Sequence, residues 1–98
     1  KGLEILEMNR NCPPHGEIDI IARNHDEIVF VEVKTAFKTN PDLLDEKVNH
    51  DKLKKISHAI YQYQKETEQI DDIRIDCISV ILQKKKPIIK YFEGIRLE

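Results

Sequence analysis

Four charged side chains at two-residue spacing, Glu17 and Asp19 in one segment and Glu32 and Lys34 in another, are the residues here best suited to do chemistry. Paired carboxylates bind hard divalent cations through oxygen, and a lysine ammonium offsets negative charge beside them. The same groups also suit a plainer role, since glutamate and lysine on an exposed edge strand simply pair in solvent. Spacing alone leaves both roles open. What decides is whether the chain brings the four groups onto one face.

Both segments read as strands. Glu17 to about Ala22 is followed by Ile28 to Lys34, a run of β-branched and aromatic residues. Between them Asn24-His25-Asp26-Glu27 carries turn chemistry. Side chains alternate along a strand, so Glu17 and Asp19 share one face of the hairpin's first arm, and Glu32 and Lys34 share one face of the second. With a two-residue loop at His25-Asp26, or a four-residue loop from Asn24 to Glu27, opposed residue numbers sum to 51. Asp19 then faces Glu32, and Glu17 faces Lys34. A loop at Asn24-His25 slides the pairing by two and keeps all four together, whereas an odd loop separates them. Opposed carboxylates, with Cβ atoms about 4.5–5.5 Å apart, repel each other. They call for a compensating cation, supplied in part by Lys34 and more fully by Mg²⁺ or Mn²⁺.

The remaining elements position this hairpin. Leu3 to Met8 alternates as a first strand, and Asn11-Cys12-Pro13-Pro14-His15-Gly16 breaks it with a loop. From Thr35 to about Val48 there is little periodicity, which predicts a mobile loop. A helix is expected from an Asn49 cap to Glu66–Gln69, with Leu53, Ile56, Ala59, Ile60 and Tyr63 on its buried stripe. A fourth strand from Arg74 to Leu82 alternates Ile73, Ile75, Cys77, Ser79 and Ile81 against Arg74, Asp76, Ile78 and Val80. Ile88 to Phe92 forms a short fifth. The order β-β-β-α-β-β predicts one α+β domain over residues 1–98, a mixed sheet with one main helix.

Bulk properties exclude several classes. No apolar run approaches the roughly 18 residues of a membrane span, and Glu4 and Glu7 break the only early apolar stretch, so no secretory leader is expected. Cys12 and Cys77 are too few and too far apart for a zinc site or a disulfide framework, and read as free thiols of a reducing cytoplasm. The four histidines do not fall at zinc-ligand spacing. A net charge of −2 argues against a general polyanion binder and leaves room for a local basic surface. Lys47, Lys52, Lys54 and Lys55 cluster at the expected helix start, where a helix N-terminus favours anions. Asp76 is read as structural.

His15-Gly16-Glu17-Ile18-Asp19-Ile20-Ile21-Ala22-Arg23 followed by Ile28-Val29-Phe30-Val31-Glu32-Val33-Lys34-Thr35 closely resembles the uncharacterised bacterial YraN-like family. The likeness extends through Val48, Lys52, Tyr61–Tyr63 and Arg74-Ile75-Asp76. That family in turn resembles the restriction-endonuclease-like superfamily, with its Asp…Glu-x-Lys signature, and is similar to the archaeal Holliday junction resolvases. The resemblance implies a restriction-endonuclease-like core in which Asp19 and Glu32 ligate Mg²⁺ or Mn²⁺ with the Val33 backbone carbonyl. Lys34 would serve the attacking water and the phosphate. It leaves Glu17 as a second-shell ligand or as the partner of Lys34, with the pairing slightly favoured, and makes Lys52 a DNA-phosphate contact. Two departures stand out. Related resolvases carry a helix with another glutamate ahead of the first strand, whereas this chain opens at Lys1. The family's Lys-Thr-Arg is here Lys34-Thr35-Ala36.

The expectation is therefore a metal-dependent endonuclease acting on DNA, branched DNA included, with a homodimer implied by the resolvase likeness. The alternative is a nuclease-fold protein that binds or scaffolds nucleic acid without cutting it. Without the resemblance, a small structural protein with a solvated Glu/Lys strand would be the default.

Overall fold

The computed structural model describes residues 2–37, 50–69 and 71–95, with helix side chains from residue 54 onward. The elements are β1 (Glu4–Asn11), β2 (Glu17–Asn24), β3 (Glu27–Phe37), α1 (His50–Thr67), β4 (Asp72–Leu82) and β5 (Ile88–Phe92). They form one five-stranded sheet in the order β1-β2-β3-β4-β5. Only β3 and β4 run parallel, and the other neighbours are antiparallel. The predicted element order and mixed sheet are those observed.

Parallel neighbours need a crossover, and α1 provides it. Its stripe of Ala59, Ile60 and Tyr63, with Ile56 half-buried beside them, covers Ile18, Ile21, Ile28, Phe30 and Ile75. Phe30 meets Tyr63 edge-on at 5.7 Å between ring centroids. Arg10 fastens β1 to the same helix. Its guanidinium pairs with Glu7 and Glu66, each at 2.9 Å, and lies 5.1 Å from the Tyr63 ring centroid. No helix among the described residues is long and apolar enough to cross a membrane.

Two boundaries differ from expectation. β1 runs on to Asn11, and a bulge between Ile5 and Glu7 breaks its alternation. β3 continues through Thr35–Phe37, which sequence pattern assigns to a loop. The reason is tertiary: β4 offers a parallel edge to these residues, pairing Thr35 with Val80 and Phe37 with Leu82. The rest of the expected loop, with Lys47, Val48 and the Asn49 cap, lies outside the described residues.

Both cysteines are buried. Burial pushes the Cys12 thiol up, which makes it less reactive.

On the sheet face away from α1, Asp76 is fully buried and fully bonded. Arg74 Nε and Nη2 each donate to it at 2.9 Å, as does the Gly94 N–H, and the Tyr91 hydroxyl donates as well. Burial alone would push the Asp76 carboxyl up, but these donors outweigh it and hold the group below its ordinary value. Tyr91, half-buried and bonded to Asp76, is pushed up to about 12. The cluster ties β5 and the segment after it to β4. A depressed folded-state pKa stabilises the fold above the ordinary carboxylate pKa of about 3.9 and ceases to do so as pH falls through the folded value. Asp76→Ala should cost about 3 kcal/mol in urea unfolding, the low end for a broken buried pair because Arg74 keeps Glu27 and Glu93 nearby. Asp76→Asn should flatten the loss of stability below about pH 4. Unchanged urea midpoints in both variants would remove the cluster's structural role.

Candidate metal centre

The hairpin closes as its turn chemistry predicts. Asn24 pairs with Glu27 around a His25-Asp26 loop, with His25 at φ 58°, and opposed residue numbers sum to 51 as far as Ile20↔Val31. At that pair the ladder ends, one position short of Asp19 and Glu32. β2 instead stays bonded to β1, where Ile18 pairs with Arg10 and Glu17 with Asn11.

Past the last pair, a side chain takes over from the backbone. Asp19 Oδ2 accepts the Val33 N–H at 2.8 Å. In the continued register Val33 would bond to β2's backbone, so Asp19 stands in for a main-chain carbonyl where the strands part. An ionised acceptor makes this bond stronger than a neutral one. The Val33 carbonyl, which in an extended strand points to the same side as its N–H, is directed into the same gap.

Asp19 and Glu32 therefore meet around a small concavity rather than as a directly opposed pair. Glu17, Ile18, Asp19, Phe30, Val31, Glu32 and Ile56 line it, and its volume of about 10 Å³ suits one water-sized particle. Ile56 brings α1 over the site, so its floor is the sheet and one wall is the helix. Asp19, Glu32 and Lys34 are all half-buried. Lys34 follows Glu32 by two residues on the same face of β3.

The expected pairing of Glu17 with Lys34 is not formed. Among the described residues no ion pair joins them, because the register that would oppose them stops at Ile20↔Val31 and Glu17 lies exposed beside β1. Backbone placement puts residue 52 in the first turns of α1, but the Lys52 side chain lies outside the described residues. Val33 lies between Glu32 and Lys34, and its N–H is bonded to Asp19.

Among the described residues no three His, Cys, Asp or Glu side chains stand close enough to hold a metal ion by themselves. Two carboxylates, an adjacent backbone carbonyl and room for one small particle nonetheless fit Mg²⁺ or Mn²⁺. These ions take oxygen donors, and Mg²⁺ keeps several waters.

Four residues beside the site escape sequence reading. His15 stacks on His58 of α1 with ring centroids 5.3 Å apart, which pins the loop before β2 to the helix. In the sheet, Cys77 lies beside Glu32 and Ser79 beside Lys34. The parallel register that makes these neighbours has no turn to announce it.

A carboxylate hairpin under a crossover helix, on a mixed five-stranded sheet, defines the class of domain. The model of the uncharacterised protein family UPF0102 matches residues 1–80, and the chain belongs to that family. It is 41% identical to a UPF0102 protein of Syntrophus aciditrophicus over 99 aligned positions, which cover 99% of this chain and 70% of the relative. It is 35% identical to one of Dictyoglomus turgidum, covering 93% of this chain and 77% of the relative. A third, from Francisella tularensis subsp. novicida, is 38% identical, covering 80% of this chain and 68% of the relative.

The Asp19–Val33 bond can be measured. Asp19→Ala leaves a half-buried N–H without its acceptor and should cost about 1–2 kcal/mol, with faster hydrogen exchange at the Val33 amide. Asp19→Asn retains an acceptor oxygen and should keep most of that protection. Equal exchange rates in the wild type and Asp19→Ala would remove the bond from the description.

Proposed function

We propose that this domain is a metal-dependent endonuclease that hydrolyses DNA phosphodiester bonds, with Asp19, Glu32 and Lys34 as its catalytic residues. The observation that carries this reading is the meeting of Asp19 and Glu32 around one ion-sized concavity, with Lys34 next along the same strand face.

Asp19 and Glu32 would hold Mg²⁺ or Mn²⁺ together with the Val33 carbonyl. Because the Val33 N–H fixes Oδ2, Asp19 is held in one orientation and Oδ1 is the oxygen it can present to a ligand. When bound, the ion would lower the pKa of a coordinated water and polarise the scissile phosphate. Lys34 would set its ammonium against the negative charge developing on the phosphate and would help hold the attacking water. Glu17, exposed at the rim of the concavity, would hydrogen-bond that water or another water on the ion. Lys52, at the start of α1, would contact a phosphate beyond the scissile one. Branched DNA and a homodimer extend the same reading, since a four-way junction offers two symmetric strands to two active sites.

The test is incubation of the protein with linear and four-way-junction DNA, with Mn²⁺, with Mg²⁺ and with EDTA. Metal-dependent cutting should vanish in Asp19→Ala and Glu32→Ala. In Lys34→Ala it should fall about 10²–10³-fold, the range for losing one donor to a developing charge. Cutting that survives both carboxylate variants would overturn the reading. DNA binding without cutting by the wild type would replace it with a binding or scaffold role.

A further inference from the structure

Charge along this sheet is sorted by end. At the amino ends of β3 and β4 lie Asp26, Glu27, Asp71 and Asp72, with Glu27 directly beside Asp72, and these acids outnumber the two arginines there, Arg23 on Asp71 and Arg74 on Glu27. At the carboxyl ends the sign reverses. Lys34 on β3 lies beside Ser79 on β4, and Ser79 lies opposite Lys90 on β5. The three residues form a row across neighbouring strands on the face that carries Glu32. Adjacent strands are about 4.8 Å apart, so the backbones at Lys34 and Lys90 are separated by about 10 Å.

Exposed Lys84, Lys85 and Lys86 form the turn between β4 and β5 at this same end. The helix adds to it. α1 runs against β3, with Ile56 near Glu32 and Tyr63 against Phe30, so its first turns and the exposed Lys54 and Lys55 reach the same rim. Along the carboxyl halves of β3 and β4, the turn after β4 and β5 itself, every charged side chain but Glu32 is a lysine. Protection of an edge strand against pairing is met by charge of either sign and does not require this sorting.

We propose that the Lys34–Ser79–Lys90 row and the Lys84–Lys86 turn form a DNA-backbone track. It leads from the Asp19–Glu32 concavity across β4 to the β5 edge. The track rests on the endonuclease reading for its starting point, and the charge sorting supports it independently. The lysines take successive phosphates as point charges, and the Ser79 hydroxyl donates to a phosphate oxygen between them. Contacts of this kind position a strand without reading its sequence, so the track predicts binding with little sequence preference.

The test is fluorescence anisotropy of a labelled DNA duplex in EDTA, titrated with the whole protein at several salt concentrations. Lys90→Gln should weaken binding at least about threefold and lower the salt slope by about 0.9, the value for one lost phosphate contact. Lys84→Gln/Lys85→Gln/Lys86→Gln should weaken it at least about tenfold, with a slope lower by about 2–3. Lys65→Gln, in the last turn of α1, makes the same change in net charge as Lys90→Gln and should leave the slope unchanged. Equal effects of Lys65→Gln and Lys90→Gln would overturn the track, as would wild-type protein that binds anionic vesicles but not DNA. Metal-dependent cutting with a Lys90-independent affinity would refute the track and leave the endonuclease reading standing. The predicted binding pattern without cutting would do the reverse.

Discussion

The parallel pairing of β3 with β4 is the constraint from which the other features follow. Two parallel neighbours cannot be joined by a tight turn, so the chain must cross the sheet between them, and α1 is that crossing. The crossing buries one sheet face around Phe30, Ile28 and Ile75. It also gives the sheet a direction: β3 and β4 end together, and the helix that runs back between them starts at the same end. Glu32 and Lys34 are half-buried because they follow Phe30 on the covered face, just beyond the apolar part of the core. An antiparallel β3–β4 pair would set Lys34, near the carboxyl end of β3, against the amino-terminal half of β4 rather than beside Ser79.

The second feature is local and concerns how a hairpin stops. Between Asn24↔Glu27 and Ile20↔Val31 the ladder is regular, and β-branched side chains fill both faces. Beyond Ile20, β2 follows β1 and leaves β3 with a backbone donor to satisfy. The Asp19 carboxylate accepts it. This bond opens the space between the strands and also fixes an anionic oxygen at its edge. A fully zipped hairpin would pack Asp19 against Glu32 with no room between them and with the repulsion of opposed like charges. Parting the strands exchanges a few backbone bonds for a concavity in which the two carboxylates can share a cation.

Local pattern carried most of this into the sequence. The His25-Asp26 turn fixes the hairpin register through a two-residue loop, and the spacing of Ile56, Ala59, Ile60 and Tyr63 specifies which helix face is buried. The alternation of Ile75, Cys77, Ser79 and Ile81 against Arg74 and Asp76 likewise predicts the two faces of β4. Where reading failed, a partner distant in sequence was in control. Thr35–Phe37 lack strand pattern yet pair with β4. Glu17 has the right parity to meet Lys34 but is held by β1 instead. Periodicity cannot say where an antiparallel ladder ends, because the end is set by competition between two neighbouring strands for the middle one. The stack of His15 on His58 joins residues 43 positions apart in sequence, and no local signal marks it.

The same limitation explains how a chain of net charge −2 carries a cationic rim. Counting charges along the sequence mixes Asp71 and Asp72 with Lys84–Lys86, only a dozen residues away, and the totals nearly cancel. Folding separates them: β4 carries the chain from an acidic end to a basic one over 11 residues, and β3 does the same beside it. With a Debye length of about 8 Å at physiological salt, the two ends of such strands are electrostatically almost independent. A phosphate near Lys90 therefore responds to the lysines of the rim and hardly at all to Asp72. For a domain of this size, the sign of the surface that meets a ligand depends on strand direction more than on composition.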